Sequence, residues 1–83
     1  MSMIFFTYRA QIGARKGVMI LGRACIQGFV ARTPGFLSTG GCGYGIRVAA
    51  KDGRRAAAEL RAGGYPYERS FWLDGNRGRE VEL

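Results

Sequence analysis

The sequence predicts a small α+β domain: a mostly antiparallel sheet in the order ββ-loop-βαββ, with one helix packed on one face. Three observations carry this expectation. Residues 3–12 alternate with period two. A strong helix-forming run lies between Asp52 and Gly63-Gly64. Two short apolar stretches flank Asp74-Gly75-Asn76-Arg77-Gly78, the composition of a hairpin turn. With 83 residues, the chain has length for one domain, 1–83, and one core.

The elements follow in order. In the first expected strand, Ile4, Phe6, Tyr8, Ala10 and Ile12 share one side, and Met3, Phe5, Thr7, Arg9 and Gln11 the other. Gly13-Ala14-Arg15-Lys16-Gly17 reads as a hairpin turn into a second strand over 18–27, with no helix between the two strands. Residues 28–43 read as a loop rich in glycine, with a short extra strand around Gly35–Ser38. A loop of that length inside a small domain points to function or to a missed element. Tyr44, Ile46 and Val48 mark a third strand, with Arg47 on its opposite side. In the helix, Asp52 is the expected N-cap and Ala56, Ala57 and Leu60 the buried stripe. A fourth strand over 67–73 should put Tyr67, Phe71 and Leu73 on one side and Trp72 on the other. The fifth, 79–83, should turn Val81 and Leu83 inward and Glu80 and Glu82 outward.

Charge is distributed unevenly. Thirteen Lys+Arg against six Asp+Glu give a net charge of +7, and 11 of the basic residues are arginine, whose planar fork suits phosphate and carboxylate. Residues 1–51 contain Arg9, Arg15, Lys16, Arg23, Arg32, Arg47 and Lys51 and no acid, whereas residues 52–83 sum to zero. Such asymmetry points to nucleic acid or an acidic protein surface as partner. A chain this short buries only about 60% of its unfolded surface, so a homodimer or a partner is expected to supply further burial. Fourteen glycines raise the entropic cost of folding.

The missing chemistry is informative too. The chain has no histidine, which removes the commonest general base and metal ligand. Cys25 and Cys42 are too few for a disulfide framework or a zinc site. Asp52 reads as a cap, Glu59 as a helix-surface group four residues after Arg55, and Glu80 and Glu82 as solvated strand positions. No cofactor, metal or catalytic residue is expected. The N-terminal apolar run lacks a basic leader, and Val18–Val30 is interrupted by Arg23 and Gln27. The expected location is the cytoplasm, away from any membrane, with both thiols reduced.

The glycine-rich stretch Gly40-Gly41-Cys42-Gly43-Tyr44-Gly45 precedes a strand, the reverse of the order a phosphate-cradling loop needs. Gly43-Tyr44-Gly45-Ile46-Arg47-Val48 resembles part of the RNP1 strand of the RNA-recognition motif. Cys42 stands where that pattern has a basic residue, Ile46 where it has an aromatic and Arg47 where it has valine. The resemblance covers only this stretch and its function is not carried over. Tyr44 remains a candidate stacking residue.

If the strands pack under the helix as drawn, alternation places Arg9, Arg23 and Arg47 on the opposite sheet face, beside Phe5, Met19, Leu21 and Trp72. Cationic forks beside apolar side chains suit a nucleic-acid backbone with stacked bases, and equally a protein hot spot. The competing arrangement is a solvated face whose Met19 and Leu21 are ordinary exposures, or one covered by residues 29–37. Arg15 and Lys16 at the first turn, and Lys51, Arg54 and Arg55 at the helix start, are further candidate binding residues, since cations there oppose the helix dipole. The expectation is a binding module rather than an enzyme, directed at nucleic acid or a nucleic-acid-handling complex. The alternative is a small phage-type inhibitor of a host defence complex, of the anti-CRISPR kind. A third reading, a small enzyme or carrier working through Cys42, would show as turnover lost on Cys42→Ser.

Overall fold

A computed structural model describes residues 2–37 and 43–83. The chain forms β1 (Ser2–Tyr8), α1 (Gln11–Arg23), β2 (Gly28–Arg32), β3 (Tyr44–Ala49), α2 (Gly53–Ala62), β4 (Ser70–Asp74) and β5 (Arg77–Glu80). Short 3-10 turns occupy Gly35–Leu37 and Ala50–Asp52. The five strands make one antiparallel sheet in the order β2-β3-β1-β4-β5. The first four strands and two helices have the connectivity of a split βαβ unit, and β5 extends one edge.

The α+β class and the antiparallel sheet are as expected, but there are two helices rather than one. Residues 13–17 are not a turn and 18–27 are not a strand: both lie largely in α1. A helix therefore does separate the first two strands. The buried face of α1 is Ala14, Gly17 and Leu21, spaced for a helix, but two of the three are too small to read as apolar signal. Gly17 is the tightest point of this packing: a Cβ there would stand 2.5 Å from Ile46 Cδ1 and 3.0 Å from Leu60 Cδ2. Neither end of α1 carries the usual punctuation. Ala10 sits at the N-cap without a side-chain cap. At the other end Ile26 N–H donates to Leu21 O (2.9 Å) and Cys25 N–H to Gly22 O (3.1 Å). That is a Schellman closure, with Cys25 rather than glycine in the left-handed position at φ 61°.

α2 ends in the same way with the expected residue. Tyr65 N–H donates to Leu60 O, Gly64 N–H to Arg61 O, and Gly64 has φ 86°. Its buried stripe is Ala56, Ala57 and Leu60, as expected, joined by Gly53 against Ile4. Asp52 occupies the N-cap position, but its side chain makes no capping hydrogen bond.

The main core lies between the sheet and both helices: Ile4, Phe6, Tyr8, Ile46 and Val48 meet Ala14, Leu21, Ala56, Ala57 and Leu60. Each large aliphatic or aromatic side chain buried there contributes on the order of 1.5–3 kcal/mol. Tyr8 also donates its hydroxyl to Tyr65 O at 2.6 Å, which ties the end of β1 to the segment after α2. Burial, and secondarily Tyr67, pushes the Tyr8 phenol well above its ordinary range.

The second face of the sheet is also covered. Phe5, Phe71 and Leu73 pack with Leu37, from the 3-10 turn after β2. The Phe5 ring lies over Gly45, where a Cβ would stand 2.5 Å from its Cε2. Residues 28–37 of the expected loop are thus not simply loop: they supply edge strand β2 and the turn that roofs this second cluster, with Gly35–Leu37 a 3-10 turn where a short strand was expected and Ser38 outside the described residues. Trp72 lies on the helix side, opposite Ile4 and Arg79, so it is not on the second face. Tyr67 packs on the helix side against Phe6, with ring centroids 4.6 Å apart, and not with Phe71. The β4–β5 turn is Gly75-Asn76, with Gly75 at φ 63°, where a type II′ hairpin places glycine. Strand β5 spans 77–80, earlier than the expected 79–83, while Val81 and Leu83 pack inward as expected.

Candidate functional site

The structure disperses the arginines that period-two reasoning gathered. Arg9 follows β1 and pairs with Glu68 at 2.6 Å on the surface. Arg23 is the last residue of α1, in the helix layer. Only Arg47 lies on the second sheet face, exposed and in register with Phe29. A common face of Arg9, Arg23 and Arg47 therefore does not exist, because the segment assigned as the second strand is a helix.

The other candidates fall into distinct settings. Arg15 and Lys16 are exposed on α1 rather than at a turn. Lys16 lies 6.0 Å from the Tyr65 ring centroid and, with Met19 and Arg23, borders a shallow groove at the end of α2. Tyr44 is half-buried on the helix side of β3, and the Arg32 guanidinium sits 5.8 Å from its ring. Arg55 donates to Ala24 O at 2.6 Å. Its place at the start of α2 thus serves the carbonyl end of α1, where a cation is favourable. Gly40, Gly41 and Cys42 lie outside the described residues. Cys25 is a free, exposed thiol.

Lys51 and Arg54 are brought to a feature that charge counting passes over. The helices cover β2, β3 and β1, while the helix side of β4 and β5 is left partly open. There Trp72 is half-buried between two clefts. One, of about 450 Å³, also involves Lys51, Arg54, Val81 and Glu82. The other, of about 420 Å³, involves Asp74, Arg77 and Arg79. Four cations against two carboxylates leave the pair of clefts positive. None of the four makes a side-chain hydrogen bond or ion pair with another described residue.

Other aromatic side chains are already matched by a cation of the chain itself: Tyr44 by Arg32, Tyr65 by Lys16, Tyr67 by Arg61 and Phe71 by Arg69. Trp72 is half-buried and lines both clefts with the four cations, and no other described residue stacks a cation on its ring. The neutral total of residues 52–83 concealed this. Glu68 is engaged by Arg9 of the other half and Glu80 by Arg69, and neither Arg77 nor Arg79 shares an ion pair with another described residue. The Arg69 hydrogen bond holds the Glu80 carboxyl below its ordinary range. The sequence did carry a signal: a two-residue turn after Asp74 dictates that Arg79 stands opposite Trp72.

Among the described residues no group of three or more His, Cys, Asp or Glu side chains could hold a metal ion. No described helix is long and apolar enough to cross a membrane. The chain matches no protein-family model, no curated protein and no solved structure.

Proposed function

We propose that this chain is a non-catalytic binding module for nucleic acid, and that Trp72 with Lys51, Arg54, Arg77 and Arg79 forms its contact surface. The observation that carries this reading is the half-buried Trp72 lining two clefts with four cations that have no partners among the described residues. Such a combination offers phosphate neutralisation on both sides of a stacking platform, the pattern used for single strands. The clefts are open and shallow, which suits a strand lying along the surface.

The test uses Trp72 as its own reporter, since it is the only tryptophan. Its fluorescence should be quenched by a mixed-sequence single-stranded oligonucleotide. If all four cations neutralise phosphates, affinity should fall about 50-fold between 50 and 200 mM salt, from a slope of roughly −0.7 per contact. Absence of binding at the lower salt, or binding unchanged by Arg77→Ala with Arg79→Ala, sinks the proposal. A turnover lost on Cys42→Ser would overturn its non-catalytic part.

A second reading, a protein-directed inhibitor such as a phage-type antagonist of a host defence complex, has one observation in its favour. Ile12 and Met19 are 66% and 62% exposed, one helical heptad apart on α1, with Lys16 between them. A complex that survives nuclease treatment and is lost on Met19→Asp favours that reading over the first.

A further inference from the structure

The two edges of the sheet are built differently. β5 presents Arg77, Gly78, Arg79 and Glu80, all exposed, and so carries the charges that discourage a further strand. β2 presents Gly28, Phe29, Val30 and Ala31 before its first charge, Arg32. Its outward backbone groups pair with no other described residue, since the sheet continues only toward β3. Phe29 is 48% exposed beside that edge. An uncharged strand of this kind with a half-exposed aromatic is a template for a further strand.

From this asymmetry we infer that β2 pairs with β2 of a second copy, antiparallel, to form one continuous sheet across a two-fold axis. The argument for a second copy rests on register and charge. Centred on Val30, self-pairing sets Val30 against its own equivalent and Phe29 against Ala31 of the second copy. The two phenylalanines then lie diagonally, within reach of aromatic side chains. Each Arg32 faces a glycine rather than the other arginine. The alternative edge would bring together two strands each carrying Arg77 and Arg79. β2 is thus the edge along which two chains of charge +7 can meet without like charges opposed. A five-residue ladder falls below the usual size of a stable interface, so the dimer is a weak one. It also fits the expected need of a short, glycine-rich chain for burial beyond its own core.

The inference is independent of the nucleic-acid proposal, and salt separates the two. Raising salt screens repulsion between two like-charged chains and should favour the dimer, whereas it weakens phosphate binding. Sedimentation of the full chain should show monomer near about 1 µM and dimer near about 1 mM. In the dimer, amide exchange should slow at 28–32. Phe29→Lys should raise the dissociation constant at least about tenfold, with circular dichroism reporting whether the variant folds. Phe29→Thr keeps strand propensity and provides the same test should the lysine variant fail to fold. A monomer across the whole range overturns the inference. So does a dimer protected along Ile12–Met19 in place of 28–32, or one loosened by salt.

Discussion

Replacing Gly45 with alanine probes the packing of the second sheet face at its tightest point. A Cβ at this position would overlap the Phe6 carbonyl oxygen on the neighbouring strand and stand 2.5 and 2.7 Å from Cε2 and Cζ of Phe5. Neither neighbour can yield cheaply. The carbonyl belongs to the β1–β3 ladder, and the Phe5 ring is 1% exposed, held by Phe71, Leu73 and Leu37. Overpacking of this kind costs about 1–3 kcal/mol, and opening one ladder hydrogen bond adds about 1 kcal/mol. Against that, alanine is favoured over glycine in a strand by about 0.5–1 kcal/mol. The balance is a loss of about 1–3.5 kcal/mol, or a thermal midpoint lowered by roughly 5–25 °C in a domain of this size. Calorimetry or a circular dichroism melt reads it directly. Phe5→Leu removes the ring but not the carbonyl, so the double variant should be less damaged than the sum of the two singles by at least about 0.5 kcal/mol. A midpoint for Gly45→Ala within about 2 °C of the parent would refute the account of Phe5 lying on Gly45.

Two further outcomes follow from the same structure. Cys25→Gly should raise stability by about 1 kcal/mol, because the left-handed position that closes α1 costs a residue with a Cβ that much; a lowered urea midpoint would show that the thiol contributes something the helix closure does not need. Tyr8→Phe should cost about 1–2 kcal/mol at neutral pH, through the lost bond to Tyr65 O and its orphaned carbonyl. The buried phenol of Tyr8 has its folded pKa raised, so the stabilisation tied to it is fully present below the unfolded value near 10. It is lost as pH rises beyond that value, because the unfolded chain then ionises first. Denaturation midpoints at pH 9 and 11 should therefore differ less in Tyr8→Phe than in the parent, and equal differences would contradict the burial of that hydroxyl.

Much of the architecture was legible because its signals are local. The run from Tyr44 to Val48 alternates cleanly and is β3. Leu60 with Ala56 and Ala57 marks one face of α2, and Gly64 stops it. The hairpin between the last two strands was legible from Asp74-Gly75-Asn76, but its register was not: the expected five-residue turn is a two-residue one, which places Arg79 across from Trp72. The faces of β1 follow from alternation alone. α1 was not legible for three physical reasons. Its buried positions include Ala14 and Gly17, which bury a helix by closeness rather than by apolar area. Its N-cap is alanine. Its C-terminal closure uses Cys25 where a sequence reader looks for glycine. Meanwhile Val18, Ile20, Ala24 and Ile26 happen to fall at even positions and imitate a strand.

The sequence by itself determined the α+β class, the concentration of net charge before residue 52, the lack of histidine chemistry, and the elements whose caps and turns are written in their own residues. Only the tertiary structure decided which strands are edges, which cations are used internally and which are left over. Strand order and ion pairing depend on residues far apart in the chain, such as Arg55 with Ala24, Arg9 with Glu68, and Trp72 with Lys51. No periodicity within one segment can encode those meetings. They arise when α1 and α2 close on one side of the sheet and leave β2 at one edge and Trp72 half-buried near the other.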